Sequence, residues 1–423
     1  VSNPLRTVLF WLHLVSGVVA GLVILVMSLT GAALAFQPQL LAWAERDLQT
    51  VAAPAPGTER LPVEQLLAAA RAAAPAGAKP SAVTLGSAPT AAAMVQLGRE
   101  GRVYVNPYTA EVRTPPKGGM RAVLHTLEDL HRFLGAEGER RAVGKAVTGA
   151  SNLAFLVLAL TGLVLWWPRR WTWAAVRSTL WFRRGLKGKA RDFNWHNATG
   201  FWALPVLVVL TTSGAVISYR WASDGVFKLM GSPVPAAGPG AGPSARVPPP
   251  PAGAQPLGTD VLLARAAEQV PGWQQLTLRL ASPQGQGGPQ GQGERGPRAE
   301  GAPRGEGSAQ PAGPQPFSVT VKEKDAWPTF ASVQVALDPY TGATLAREGY
   351  ADQNRGRQVR SWLRFLHTGE ALGWVGQLLA GLASLGGGLL VWTGLALSWR
   401  RFLSWRRTRA AAPAPAAGLS SRA

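Results

Sequence analysis

The chain has 423 residues, 47% of them apolar, with no cysteine, four methionines and a formal net charge of +20. The absence of cysteine excludes disulfides, Fe–S clusters, thiolate-bound metals and cysteine nucleophiles, and four methionines leave few candidates for thioether ligation. The charge could serve nucleic acid, but the placement of the cations argues otherwise.

The first element is an apolar run, 14–36, long enough for the roughly 20 residues that cross about 30 Å of hydrocarbon. Three more runs of this kind follow, at 146–167, 201–219 and 378–399. Ala33-Leu34-Ala35 resembles a cleavage site. The run is longer than a usual signal segment, so an uncleaved anchor is expected. Between the second and third runs, 168–194 carries Arg169, Arg170, Arg177, Arg183, Arg184, Lys187, Lys189 and Arg191 against Asp192 alone. After the fourth run come Arg400, Arg401, Arg406, Arg407 and Arg409. Positive charge concentrates on the cytoplasmic side, so both segments and the N-terminus are expected there, with about 40–145 and 220–375 outside. Much of the +20 is therefore topology signal, and no nucleic-acid partner is expected.

The two outer segments share a plan. A helical pattern at 61–71 ends near Pro75, and its counterpart at 257–267 ends at Pro271. Alternating strand-like runs follow each, leading to Asn106-Pro107-Tyr108-Thr109-Ala110 in one and Asp338-Pro339-Tyr340-Thr341-Gly342 in the other. Asx-Pro between such runs is a turn, because Pro presets φ and the Asx side chain caps the backbone. Offsets between the halves are constant over long stretches. His13 to His196 and Gly31 to Gly214 are both 183, Pro75 to Pro271 is 196, and Pro107 to Pro339 and Gly162 to Gly394 are both 232. The last jump matches 281–316, a Gly/Gln/Pro-rich stretch read as a disordered insertion. The expected architecture is a four-helix transmembrane bundle built as an internal duplication, with two outer α+β domains.

Five histidines stand out against this background. Trp11-Leu12-His13 and Trp195-His196 open two outward-running helices, each 18 residues before a glycine, Gly31 or Gly214. Those glycines then lie about 27 Å further along. His131 and His367 precede the inward-running second and fourth helices, and continuous helices would place them about 40–46 Å from Gly162 and Gly394. Glycines 135, 138 and 369 could break that path. Aligning Arg132-Phe133-Leu134 with Arg364-Phe365-Leu366 sets His131 and His367 one turn out of register. Imidazole at membrane depth is costly unless it is satisfied and functional, and two neutral imidazoles can fill the axial positions of a haem iron. The expectation is haem b, two groups with bis-His ligation: an inner one on His13 and His196, and an outer one on His131 and His367. Small residues at Thr30-Gly31, Thr161-Gly162, Ser213-Gly214 and Thr393-Gly394 could pack a flat macrocycle. His125 is a surface residue or an alternative outer ligand. The competing reading makes each histidine an interfacial polar residue and each glycine a helix-packing position. Zinc at His125, Glu128, Asp129 and His131 matches no known spacing. Most of the 17 tryptophans read as interfacial anchors.

This arrangement resembles the PepSY-associated transmembrane family of bacterial inner-membrane proteins, which includes siderophore-linked, iron-regulated ferric reductases. The carrying residues are Trp11-Leu12-His13 with Leu29-Thr30-Gly31, the turns at 106–109 and 338–342, Leu130-His131-Arg132 with Leu160-Thr161-Gly162 and Trp166-Trp167, and His367-Thr368-Gly369 with Thr393-Gly394. Ala110 departs from the glycine of the second turn. The resemblance implies PepSY-like periplasmic domains and haem carrying electrons outward to a periplasmic Fe(III)-chelate such as a ferric siderophore. The chain then divides into helix 1 (1–43), a periplasmic domain (44–119), a lead-in with helix 2 (120–167), a basic cytoplasmic loop (168–194), helix 3 (195–221), a second periplasmic domain (222–356, insert 281–316), a lead-in with helix 4 (357–400) and a basic tail (401–423). No G-x-G-x-x-G unit or P-loop is present, so no nicotinamide, flavin or ATP motif is evident. Electrons would come from quinol or a cytoplasmic donor, with membrane lipid as the surrounding partner. The alternatives are a non-enzymatic membrane scaffold binding an envelope protein such as a protease and, more weakly, a transporter with parallel repeats, whose interior acids and broken helices are missing here.

Overall fold

A computed structural model describes residues 4–98, 101–167, 172–235, 245–280 and 314–410. Arg169, Arg170, positions 281–313 of the low-complexity insert and the tail beyond 410 lie outside the described residues. In chain order come α1 (Pro4–Leu34), α2 (Gln37–Ala44), α3 (Arg46–Gln49), α4 (Val63–Ala73), β1 (Ala82–Gly86), β2 (Ala93–Gln96), β3 (Arg102–Val105) and β4 (Val112–Arg113). The chain continues with α5 (Met120–Phe133), α6 (Arg140–Trp166), α7 (Trp173–Leu180), α8 (Gly188–Ser218), α9 (Arg220–Leu229) and α10 (Thr259–Glu268). It ends with β5 (Trp273–Arg279), β6 (Phe317–Glu323), β7 (Val333–Leu337), β8 (Thr344–Glu348), α11 (Arg355–Thr368) and α12 (Gly373–Ala410). The described residues form two compact units, one drawn from 1–37, 124–223 and 363–423 and the other from 38–123 and 224–362.

The first unit is helical. Among the described residues, four helices, α1, α6, α8 and the last one, are long and apolar enough to cross a membrane. Each extends beyond its apolar run, because the helix continues through polar ends that the hydropathy pattern does not count. They pack in the cyclic order α1, α6, α8, α12. Ala20, Ile24 and Val391 form one buried cluster and Ala203, Leu207 and Ala383 another, with Phe155 packed against both. Small residues at these contacts let the helices approach closely. Outward faces stay apolar, as at Val19, which is 78% exposed. Hydrocarbon is the surrounding in which that arrangement carries no penalty. Within the loop predicted at 168–194, residues 173–180 form α7.

The lead-in helices do not run straight into the long ones. After α5 the backbone turns through Leu134 and Gly135 at positive φ (54° and 72°), and after α11 through Gly369 (φ 79°). Gly144 lies against the Phe133 carbonyl and Gly376 against the Gly369 carbonyl, where a Cβ would collide. His131 and His367 are 236 positions apart, but Gly144 and Gly376 are 232 apart. The four-residue difference is therefore taken up in the bend after α5. The Arg-Phe-Leu alignment is corrected accordingly.

The second unit is a single antiparallel sheet in the order β4-β3-β2-β1-β5-β6-β7-β8. Two four-stranded meanders join through β1 and β5, with Leu85 opposite Leu276 and Thr84 opposite Thr277, whose hydroxyls are 3.0 Å apart. Two outer α+β domains were expected, and their strands lie in one continuous sheet: pairing β1 with β5 satisfies two edges that would otherwise expose unpaired backbone groups. Helix α4 buries Val63, Leu66, Leu67 and Ala70 at helical spacing, and α10 buries Leu262, Leu263 and Ala266. Both pack into one core with Val83, Val95, Val103, Leu276, Val319 and Val335. Asp260 Oδ1 accepts from Val63 N at 3.0 Å, and Thr259 Oγ1 donates to Glu64 Oε1 at 2.8 Å, tying the two helix starts together. Both Asx turns form: Asn106 Oδ1 accepts from Tyr108 N at 3.0 Å, and Asp338 Oδ1 from Tyr340 N at 2.8 Å.

Candidate functional site

Four of the five histidines meet in two pairs within the helical unit. The ring centroids of His13 on α1 and His196 on α8 are 6.3 Å apart, with planes at 81°. Those of His131 on α5 and His367 on α11 are also 6.3 Å apart, with planes at 60°. Thr30, which holds His131, is 17 residues from His13 on α1. The two pairs therefore sit about 26 Å apart along the bundle.

Each imidazole rests in the same kind of cradle, a Thr-Gly or Ser-Gly step on another long helix. His13 Nδ1 is 2.9 Å from Thr161 Oγ1, and His196 Nδ1 is 2.9 Å from Thr393 Oγ1. His131 Nδ1 is 3.0 Å from Thr30 Oγ1, and His367 Nδ1 is 3.1 Å from Ser213 Oγ. The glycine of each step leaves room for the ring. A Cβ at Gly162, Gly394, Gly31 or Gly214 would come within 3.3, 3.4, 3.1 or 3.2 Å of the Cε1 of His13, His196, His131 or His367. The glycines expected to pack a macrocycle thus have an imidazole edge as their direct neighbour.

The hydrogen bonds also choose the tautomer. Each of the four hydroxyls donates to the carbonyl four residues back, at 2.6–2.8 Å. The imidazole nitrogens face carbonyls as well: His131 Nδ1 lies 3.0 Å from Met27 O and His367 Nδ1 lies 2.9 Å from Leu210 O. Leu158 and Leu390 supply the carbonyls for His13 and His196. A carbonyl can only accept, so Nδ1 carries the hydrogen and Nε2 keeps its lone pair. Fixing one ring nitrogen in this way is how proteins orient a histidine that ligates through the other.

The profile of the PepSY-associated TM region matches residues 10–401. The chain belongs to that family. With its four membrane-length helices, this PepSY-associated chain is a multi-pass membrane protein. No curated protein matches it.

The fifth histidine is not brought to either pair. His125 Nδ1 lies 3.2 Å from Asp129 Oδ2 one turn along α5, with its side chain 71% exposed. That contact and that exposure favour the surface reading of His125 over the ligand reading. Among the described residues no three His, Asp or Glu side chains converge on a metal site, which removes the grouping that zinc would need. The small residues beside the glycines are visible in the sequence of this PepSY-associated chain, but what their hydroxyls do is not. Nor is the place of Asn152, buried beside Gly214, whose Nδ2 donates to Thr211 O at 2.8 Å. A buried Asn on an otherwise apolar membrane helix was the available signal.

Proposed function

We propose that this PepSY-associated protein is a haem-containing membrane electron-transfer protein that reduces an acceptor outside the cytoplasmic membrane, an Fe(III)-siderophore by chemical class. One observation carries the reading: two imidazole pairs with Nε2 free and ring centroids 6.3 Å apart. Metal–nitrogen bonds of about 2 Å, plus about 1.1 Å from each nitrogen to its ring centre, separate two imidazoles sharing one metal by roughly 6.3 Å. Each pair offers only two donors, so the metal must bring its other ligands with it, as iron in a porphyrin does. Attachment is non-covalent, since the chain has no cysteine to form thioethers.

Two further polar atoms suit a group with an anionic edge at the inner pair. Trp166 Nε1 and Thr199 Oγ1 are buried without a partner in the protein. Trp166 is four residues beyond Gly162, and Thr199 is three residues beyond His196. Buried donors are normally satisfied, and haem propionates would satisfy these. When bound, haem supplies a one-electron couple at each pair. The protein's part is to hold four imidazoles as one tautomer, to make room for them with glycine, and to exclude water with the bundle. Phe155 fills the interior between the two buried clusters. Reducing Fe(III) weakens hard-oxygen chelation and releases the metal.

The orientation belongs to the same proposal. Cations at 183–191 and 400–409 face the cytoplasm, the sheet unit faces the periplasm, and both termini are inside. The two four-stranded meanders, the paired Asx turns and the four cradles support an internal duplication. The deciding experiment is an absorption spectrum of protein expressed with ample haem. Reducible α and Soret bands are expected, and their absence would reject the proposal. His13→Ala and His196→Ala should remove one spectral component, and His131→Ala and His367→Ala the other. Loss of different components within a pair would refute that pairing.

A further inference from the structure

The start of α8 carries a second built feature that the imidazole pairs do not use. A cleft of about 650 Å³ opens there, lined by Phe182, Arg183, Arg184, Arg191, Trp195 and Leu389 among others. Arg191 is already committed. It donates to Asp192 at 2.8 Å and lies over the rings of Trp195 and Trp392. Asp192 is 1% exposed and also accepts from Arg400 at 3.1 Å, so two arginines match its single charge. Arg183 and Arg184 have no carboxylate partner among the described residues.

The loop bearing these two arginines is held in place. Asn194, itself buried, accepts from Arg183 N at 2.9 Å and donates to Trp181 O at 3.0 Å. Trp202 Nε1 donates to Leu180 O at 2.9 Å. Lys187 and Lys189 add charge, and the positive dipole end of α8 adds more. Fixing so many like charges together is repulsive unless an anion is shared among them. Trp181, Phe182, Phe193 and Trp202 are all more than half exposed, giving the same region an apolar, aromatic skirt. Cations beside exposed aromatics are the pattern of a membrane interface.

We propose that this cleft binds the phosphodiester headgroup of an anionic phospholipid, with Arg183 and Arg184 on the phosphate and Phe182 and Leu389 beside the acyl chains. A free phosphate ion shares the headgroup chemistry but gains nothing from the aromatic skirt. The assignment rests on the membrane-spanning character of α8 and not on haem.

The test uses the full chain in nanodiscs of phosphatidylcholine with a minority of phosphatidylglycerol, followed by native mass spectrometry of the retained lipid. Selective retention of phosphatidylglycerol is expected. Each arginine at a charged interface is worth about a fivefold gain in affinity, so R183A/R184A should weaken retention roughly thirtyfold, while R183K/R184K keeps most of it. Circular dichroism checks that the double-alanine protein is folded; if it is not, R184A alone should lose about fivefold. Equal retention of the two lipids, or unchanged retention by the folded alanine variant, overturns the proposal. So does inorganic phosphate, added in detergent without lipid, if it raises the thermal unfolding temperature as much as phosphatidylglycerol does.

Discussion

Ala110 occupies the left-handed region, with φ 59°, where its counterpart Gly342 sits at 71°. A Cβ is strained there, so Ala110→Gly should stabilise the sheet unit by about 1 kcal/mol, read as a rise in the midpoint of urea unfolding. An unchanged or lower midpoint would show the turn to be unstrained. Glu45 poses a charge question instead. It is 4% exposed, accepts from Tyr104 Oη at 2.7 Å, and accepts from Arg121 Nε and Nη2 at 2.9 and 2.7 Å. Burial pushes its carboxyl up, but the bonds to Arg121 and Tyr104 together outweigh burial and hold it below the ordinary 4.5. Burial first, and the bond to Glu45 second, push the Tyr104 phenol up to about 12. A carboxylate whose folded pKa lies below its unfolded value contributes stability in full above that unfolded value. The contribution is lost as pH falls through the folded one. Glu45→Gln should therefore cost about 2–3 kcal/mol at pH 7, with the gap to the parent protein closing below pH 4.5. Unfolding measured by tryptophan fluorescence across pH checks this, and a pH-independent gap would show that the carboxylate charge is not what stabilises.

Pairs of helices, not single ones, make the cradles. Thr161 and Gly162 belong to α6 but serve His13 on α1, and Thr393 and Gly394 on α12 serve His196 on α8. Thr161→Val keeps the shape and removes one of the two acceptors for Nδ1, so on the proposed haem assignment the affinity at that pair should fall about tenfold. Transfer of haem to an acceptor protein measures it, and the His131–His367 component should not change. Equal weakening at both pairs would mean that the bundle had loosened instead. A Thr-Gly or Ser-Gly step 18 residues after His13 and His196 was legible in the chain. Which helix receives which histidine was not, because a helix's own sequence does not name its neighbour. The bend after α5 shows the same limit. Arg132-Phe133-Leu134 and Arg364-Phe365-Leu366 matched as strings, yet Gly144 and Gly376 keep the true register through contacts with carbonyls.

Among the described residues four helices are long and apolar enough to cross a membrane, and the proposed orientation puts the two ends of the chain on the cytoplasmic side. A protein without cysteine makes this direct to test, since any introduced thiol is the only one. Asp325→Cys, in the turn between β6 and β7, should react with an impermeant maleimide in intact cells. Lys187→Cys, ahead of α8, should react only after permeabilisation. The reverse pattern would invert the proposed orientation. The eight-stranded sheet adds a dependence between the halves: β1 and β5 pair residues 189–197 positions apart in the chain, as Gly86 with Gln275 and Ala82 with Arg279.

Local chemistry determined much of this protein from sequence alone. Membrane-length apolar runs, helical spacing at 63–70 and Asx-Pro turns all follow from periodicity and residue type, which are properties of short stretches. Long-range packing decided the rest. The joining of two meanders into one sheet, the exposure of His125, the seating of each imidazole on a Thr-Gly or Ser-Gly step and the hydrogen on Nδ1 depend on partners 100 or more residues away or on solvent access. Those partners are chosen by packing and hydrogen-bond satisfaction in three dimensions, for which a linear pattern supplies candidates but no pairing.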